Sequence, residues 1–136
     1  MNKILDILIK LSDKALKNDD VPISCVIVRN GEIIAKDYNK KVKNNDPLAH
    51  AEILCIKKAT KKLKTNNLND CELYSLLIPC KMCREVIKEV RIKKVHYILE
   101  NDKEINDNTI FYKIDVDSSL NKELSNKITS FFRKKR

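Results

Sequence analysis

Two short stretches of this 136-residue chain hold the residue types best suited to chemistry: His50-Ala51-Glu52 and Pro79-Cys80-Lys81-Met82-Cys83. Each alone is a weak signal, because Cys-x-x-Cys serves redox, structural and incidental roles alike. Thirty residues apart, each at the opening of an expected helix, they read as one pattern. Cysteines at i and i+3 in a first helical turn direct both sulfurs toward one point. The unpaired N–H groups and dipole of that turn favour thiolates. His50 adds a nitrogen. Three such ligands suit Zn2+ and leave a fourth position for water, whose pKa falls to about 7 and yields a hydroxide nucleophile. Glu52, two positions after His50, is placed to take a proton from that water and pass it to a ring nitrogen and to leaving ammonia. A positioned acid/base group of this kind is worth about 10²–10⁴ in rate. The set fits hydrolytic deamination of an amidine-like base, with Glu52 as proton shuttle.

The same residues have other possible uses. A structural zinc asks for a fourth protein ligand, and the remaining cysteines are 25, 55 and 71. Cys55 falls about one and a half turns beyond His50 on another side of its helix, which suits packing. Cys25 and Cys71 lie in strand-like segments and read as small buried hydrophobes. A redox Cys-x-x-Cys would follow the first strand of a βαβ unit and would leave His50 and Glu52 without a role. Five cysteines are an odd number with no export signal, which argues against a disulfide framework and for a cytoplasmic chain. The other histidine, His96, lies in a strand-like run and reads as a satisfied edge or core residue.

The elements that must position these groups follow from periodicity. Residues 3–17 place Ile4, Leu8, Leu11 and Ala15 at helical spacing, and Asn18-Asp19-Asp20 stops them. Residues 23–28 form an apolar, β-branched strand, Asn30-Gly31 a tight turn and residues 32–36 a returning strand. A helix is expected over 49–62, a strand over 71–78, a helix opened by Pro79, and strands at 94–99 and about 110–114. A last helix, capped by Ser118 or Ser119, repeats Leu120, Leu124, Ile128 and Phe131 on one side. The order α-β-β-α-β-α-β-β-α predicts an α/β fold, three layers (α/β/α) with a central mixed five-stranded sheet, in a single domain spanning 1–136.

Charge narrows the partners. Lys and Arg number 28 against 19 Asp and Glu, a net charge of +9, which favours a polyanion over an acidic protein surface. Lysines crowd residues 57–64, and the terminal Phe131-Phe132-Arg133-Lys134-Lys135-Arg136 joins two aromatics to four cations, a combination suited to stacking and phosphate contact on RNA loops. No apolar run approaches the roughly 18–20 residues of a membrane span.

At these residues the chain resembles the zinc-dependent cytidine deaminase-like superfamily, whose signature is H-x-E followed by P-C-x-x-C. Within it, the resemblance is to the bacterial tRNA-specific adenosine deaminases. Three stretches carry that: Asp20-Val21-Pro22-Ile23, Asp46-Pro47-Leu48-Ala49-His50-Ala51-Glu52-Ile53, and the Phe-Phe-Arg-Lys-Lys-Arg ending. The resemblance implies His50, Cys80 and Cys83 as ligands of one Zn2+ per subunit and Glu52 as the catalytic proton carrier. It further implies Asn39 as hydrogen-bonding to the inserted base, with Val21, Ile23 and Leu77 as pocket walls. Phe131, Phe132 and Arg133 would meet the tRNA anticodon loop, in a homodimer that converts wobble adenosine (34) to inosine. The chain departs from the family at Ser24-Cys25, at Ile78, and after residue 97, where the segment is also shorter. A deaminase of a free base, nucleoside or nucleotide, of guanine or cytosine type, shares every catalytic residue. A zinc-stabilised RNA-binding subunit without catalysis would have no use for Glu52.

Overall fold

The computed structural model describes residues 2–100 and 109–134. Its elements follow in the order expected: α1 (Asn2–Lys17), β1 (Ser24–Arg29), β2 (Glu32–Tyr38), α2 (Ala51–Leu63), β3 (Cys71–Leu77), α3 (Lys81–Glu89), β4 (Lys94–Leu99), β5 (Ile110–Lys113) and α4 (Ser118–Lys134). The strands form one sheet in the order β2-β1-β3-β4-β5. β1 pairs antiparallel with β2 and β3, while β3–β4 and β4–β5 are parallel, so the sheet is mixed.

Period-2 alternation along the strands divides the core into two layers. Cys25 and Ile27 of β1, Leu73 of β3 and Val95 of β4 meet Cys55, Ile56 and Ala59 of α2 and Ile87 of α3. On the other face Val26 and Val28, Tyr74 and Leu76, and Ile98 meet Leu8 of α1 and Leu124 of α4. The hairpin turn is as the sequence reads: Asn30 and Gly31 both take positive φ, 51° and 76°, the pairing that matches the twist of the flanking strands.

Three details differ from the sequence reading. α2 and α3 begin later, so His50 and Cys80 are extended residues immediately before their helices rather than within them. α4 is capped by Asp117, whose Oδ1 accepts the Leu120 N–H at 2.8 Å, and not by a serine. A carboxylate there also complements the positive end of the helix dipole. β2 runs on to Tyr38, because Asp37 and Tyr38 still pair with Cys25 and Ser24. Residues 101–108, part of the altered segment, and Lys135-Arg136 of the basic ending lie outside the described residues. All five cysteines are free thiols, and no helix among the described residues is long and apolar enough to cross a membrane.

Candidate metal centre

α2 and α3 lie on the same face of the sheet and present their N-terminal ends to each other. This brings His50 to the Cys-x-x-Cys turn: its Nδ1 is 3.9 Å from Cys80 Sγ and 3.6 Å from Cys83 Sγ. The three donor atoms all lie within 4.8 Å of one another, and they are the one such group of three or more among the described residues. Nitrogen and sulfur at their usual zinc bond lengths sit about 3.6 Å apart across a tetrahedral angle. The trio therefore fits a tetrahedral cation with little adjustment.

The electrostatics point the same way. The Cys83 thiol hydrogen-bonds to Cys80, which draws the Cys80 pKa down to about 5 against the opposing effect of burial. Backbone N–H groups of Cys83 and Met82, and the His50 ring, favour its thiolate further. Cys83 is pushed up because it keeps the shared proton, and because burial and the nearby Glu52 oppose a second negative charge. One thiolate is already favoured, and a cation is the natural replacement for the proton between the two sulfurs.

Glu52 follows in the first turn of α2 and is 4% exposed. Its Oε1 is buried without a hydrogen-bond partner, the one such side-chain atom among the described residues. Burial raises its pKa to about 7, the Cys83 thiol's hydrogen bond works against that, and negative charge at Cys80 adds to it. A buried carboxyl oxygen without a hydrogen bond is costly, and a group that donates to it would relieve that cost.

The remaining predicted residues divide. Asn39 is brought to the site: its Oδ1 accepts the Ala51 N–H at 2.8 Å, one residue beyond His50. Its own N–H donates to the Ile23 carbonyl at 3.1 Å, so Ile23 accompanies it. Leu77 ends β3 two residues before Pro79, and buried Val21 adjoins the loop that follows Asn39. Phe131, Phe132 and Arg133 are not gathered round the trio. They occupy the last turns of α4, where Phe131 lines a groove of about 420 Å³ with Leu16 and Asp19 at the end of α1. Phe131 is half-buried there, and Phe132, edge-on to it, is 50% exposed. The bystanders behave as read. Cys25, Cys55 and Cys71 are buried, and His96 is stacked between Tyr74 and Tyr112 while bonded to Glu72 at 3.1 Å.

Two acids that hold this arrangement were not legible. Asp20, 1% exposed, accepts the Val21 N–H with one oxygen and the Val42 N–H, twenty-two residues away, with the other, both at 2.9 Å. It ties the segment before β1 to the loop that carries Asn39. Asp37 accepts from Lys40 at 2.9 Å and Lys58 at 3.0 Å, fastening β2 to that loop and to α2. The only sequence signal for Asp20 was its place beside Val21-Pro22, and the run Asn18-Asp19-Asp20 explained it equally well as a helix stop.

Comparison with known proteins agrees with this geometry. Residues 1–99 match the family described as cytidine and deoxycytidylate deaminase zinc-binding region. A tRNA-specific adenosine deaminase of Aquifex aeolicus (strain VF5) is 42% identical over 91 residues, which is 67% of this chain and 60% of that protein. A guanine deaminase of Bacillus subtilis (strain 168) is 45% identical over 80 residues, 59% of this chain and 51% of that protein. The chain thus matches between half and two-thirds of the length of either relative. A solved structure from studies of A-to-I editing by tRNA:A34 deaminases at the wobble position superposes with a TM-score of 0.76 at 27% identity, covering 82% of this chain and 97% of that one.

Proposed function

The chain belongs to the cytidine and deoxycytidylate deaminase zinc-binding family, and on that footing we propose that it is a zinc-dependent hydrolase converting the wobble adenosine of a tRNA to inosine. The observation that carries the deaminase reading is the sealed, half-satisfied Glu52 carboxylate beside a three-donor cluster. His50 Nδ1, Cys80 Sγ and Cys83 Sγ would hold the zinc. Zinc there would lower the pKa of water to about 7 and so supply a nucleophile for C6 of the purine at neutral pH.

The rest falls to the protein's own groups. Glu52 carries both protons of the attacking water in turn, the first to N1 of the ring and the second to the 6-amino group, which departs as ammonia. Adenosine and water become inosine and ammonia. Asn39 keeps its Oδ1 on the Ala51 N–H, which directs its amide nitrogen to a base as a donor. Val21, Ile23 and Leu77 wall the base. Burial of Glu52, Asn39 and Cys83 keeps bulk water from these groups and strengthens each polar contact they make.

The tRNA substrate rests on the Aquifex aeolicus relative, the tRNA:A34 deaminase structure and the end of α4. Phe131 anchors that end, Phe132 is free to stack on an unpaired base, and Arg133 reaches a phosphate. The exposed apolar side chains Val42, Leu48 and Met82, on the segments that carry the site, fit a homodimer. A second reading, deamination of free guanine, is favoured by the Bacillus subtilis relative. Parallel assays separate the two: the zinc-loaded protein should form inosine in an anticodon stem-loop with adenosine at the wobble position and release no ammonia from guanine. The reverse outcome selects the guanine reading.

A further inference from the structure

The basic excess of the chain is not spread evenly. Residues 57–94 carry 11 Lys and Arg against 4 Asp and Glu, while the other 98 residues carry 17 against 15. A general bias toward lysine in the composition would not concentrate charge in this way. The fold then gathers it. Lys57, Lys61 and Lys64 recur on one side of α2 and line an open groove of about 440 Å³ together with Thr60, Thr65 and Asn66. Val90, at the end of α3, closes the far wall, and its carbonyl accepts the Leu68 N–H at 2.7 Å. Beyond it the α3–β4 turn adds exposed Arg91, Lys93 and Lys94.

None of these six cations has an ion pair among the described residues. The acids at the start of β3 are otherwise engaged, Asp70 with Arg29 and Glu72 with His96. Lys64 and Arg91, each just past the end of its helix, both take positive φ, 55° and 68°, where glycine is the residue without steric cost. Both neighbouring helices thus end on a cation in a place that glycine would suit better.

We propose that this ridge and turn form a second RNA-contact surface, separate from the metal centre, that takes the backbone phosphates of the helical stem flanking the edited loop. Exposed lysines beside hydroxyl and amide groups suit phosphate oxygens without reading sequence. At 1.5 Å per residue, Lys61 lies about 16 Å along α2 from His50, so the ridge meets phosphates well away from the edited base itself. This inference rests on the tRNA reading of the active site.

The test compares zinc-loaded wild type with the triple variant Lys57→Glu/Lys61→Glu/Lys64→Glu on two probes, an anticodon stem-loop and the same loop as a single strand. For the stem-loop, the expected result is a Kd raised tenfold or more and a plot of log K against log salt shallower by about 2–3. Editing of the bare loop should change less than twofold. The Lys93→Glu/Lys94→Glu variant, outside the helix, should weaken the stem-loop in the same sense and guards against misfolding of α2. Unchanged stem-loop affinity in both variants, or equal losses on both probes, would overturn the inference and leave the tRNA reading standing. Wild-type protein that binds neither RNA would overturn both, and that result is distinct from the first two.

Discussion

In the proposed reaction Glu52 carries the protons. Its Oε1 is buried without a hydrogen-bond partner, so replacing the carboxylate should separate chemistry from metal binding. Glu52→Gln should retain zinc and lose activity by about 10²–10⁴, read as metal content beside turnover. Cys83→Ser should do the opposite in order: metal content falls first, and activity falls with it. The two phenylalanines of the last helix should likewise part company. Phe131→Ala should cost about 2–4 kcal/mol in chemical denaturation, less than a fully buried aromatic because it is half-exposed. Phe132→Ala should leave the denaturation midpoint in place and weaken stem-loop binding by about 1–3 kcal/mol, the usual worth of a stacked base. At this scale the sequence was informative, because a metal site needs particular side chains at particular spacings. His50, Cys80 and Cys83 were expected as one cluster, and the structure brings their donor atoms within 4.8 Å of one another, with Glu52 buried. The spacing did not reveal that His50 and Cys80 stand just outside their helices, since an extended residue before a helix and one in its first turn differ by backbone angles that composition does not encode.

Helices and strands bring those side chains together, and two buried acids hold the connecting loops. Asp20→Ala would leave the Val21 and Val42 N–H groups without their carboxylate and loosen the loop bearing Asn39. A loss of about 1–3 kcal/mol is expected, with a higher KM and a smaller change in kcat, and Asp20→Asn should recover part of both. Asp37 gives a pH signature. Burial alone would raise its pKa, yet hydrogen bonds from Lys40, Lys58 and the Tyr38 N–H hold it below the ordinary carboxylate range. With its folded pKa below its unfolded one, the stabilisation is complete above about pH 5 and is lost as pH falls through the folded value. Asp37→Asn should therefore be less stable than wild type near pH 6, by about 1–3 kcal/mol, and the gap should close toward about pH 2 in thermal melts. Element type and order were readable because hydrophobic period and the Asn30-Gly31 turn act locally. Asp20 and Asp37 were not, because their partners lie far along the chain or on another element, and only the sheet register sets them side by side. Asp117 outcompeted the serines after it for a similar reason: any of the three is an acceptable cap, and the path of the chain decides.

The whole molecule joins a deaminase-type centre at one end of α2 to a cationic surface at the other. Binding to RNA should accordingly weaken steeply with salt, whereas turnover of a small base would not. Removing residues 133–136 should reduce stem-loop editing while leaving zinc content and folding unchanged; equal editing after the truncation would count against an RNA substrate. The three-layer arrangement and mixed sheet were legible from element order, since helices alternating with strands after a hairpin have few ways to cover both faces of a sheet. Which surface meets a partner was less so, because exposed lysines carry no periodic signature until α2 and α3 are set against each other. The most direct test is to incubate zinc-loaded wild type and Glu52→Gln, at matched zinc content, with an anticodon stem-loop bearing adenosine at the wobble position, and to quantify inosine. Inosine from wild type alone is the predicted result. Equal inosine from both proteins would contradict the role of Glu52, and none from either, with zinc bound and the fold intact, would contradict the substrate.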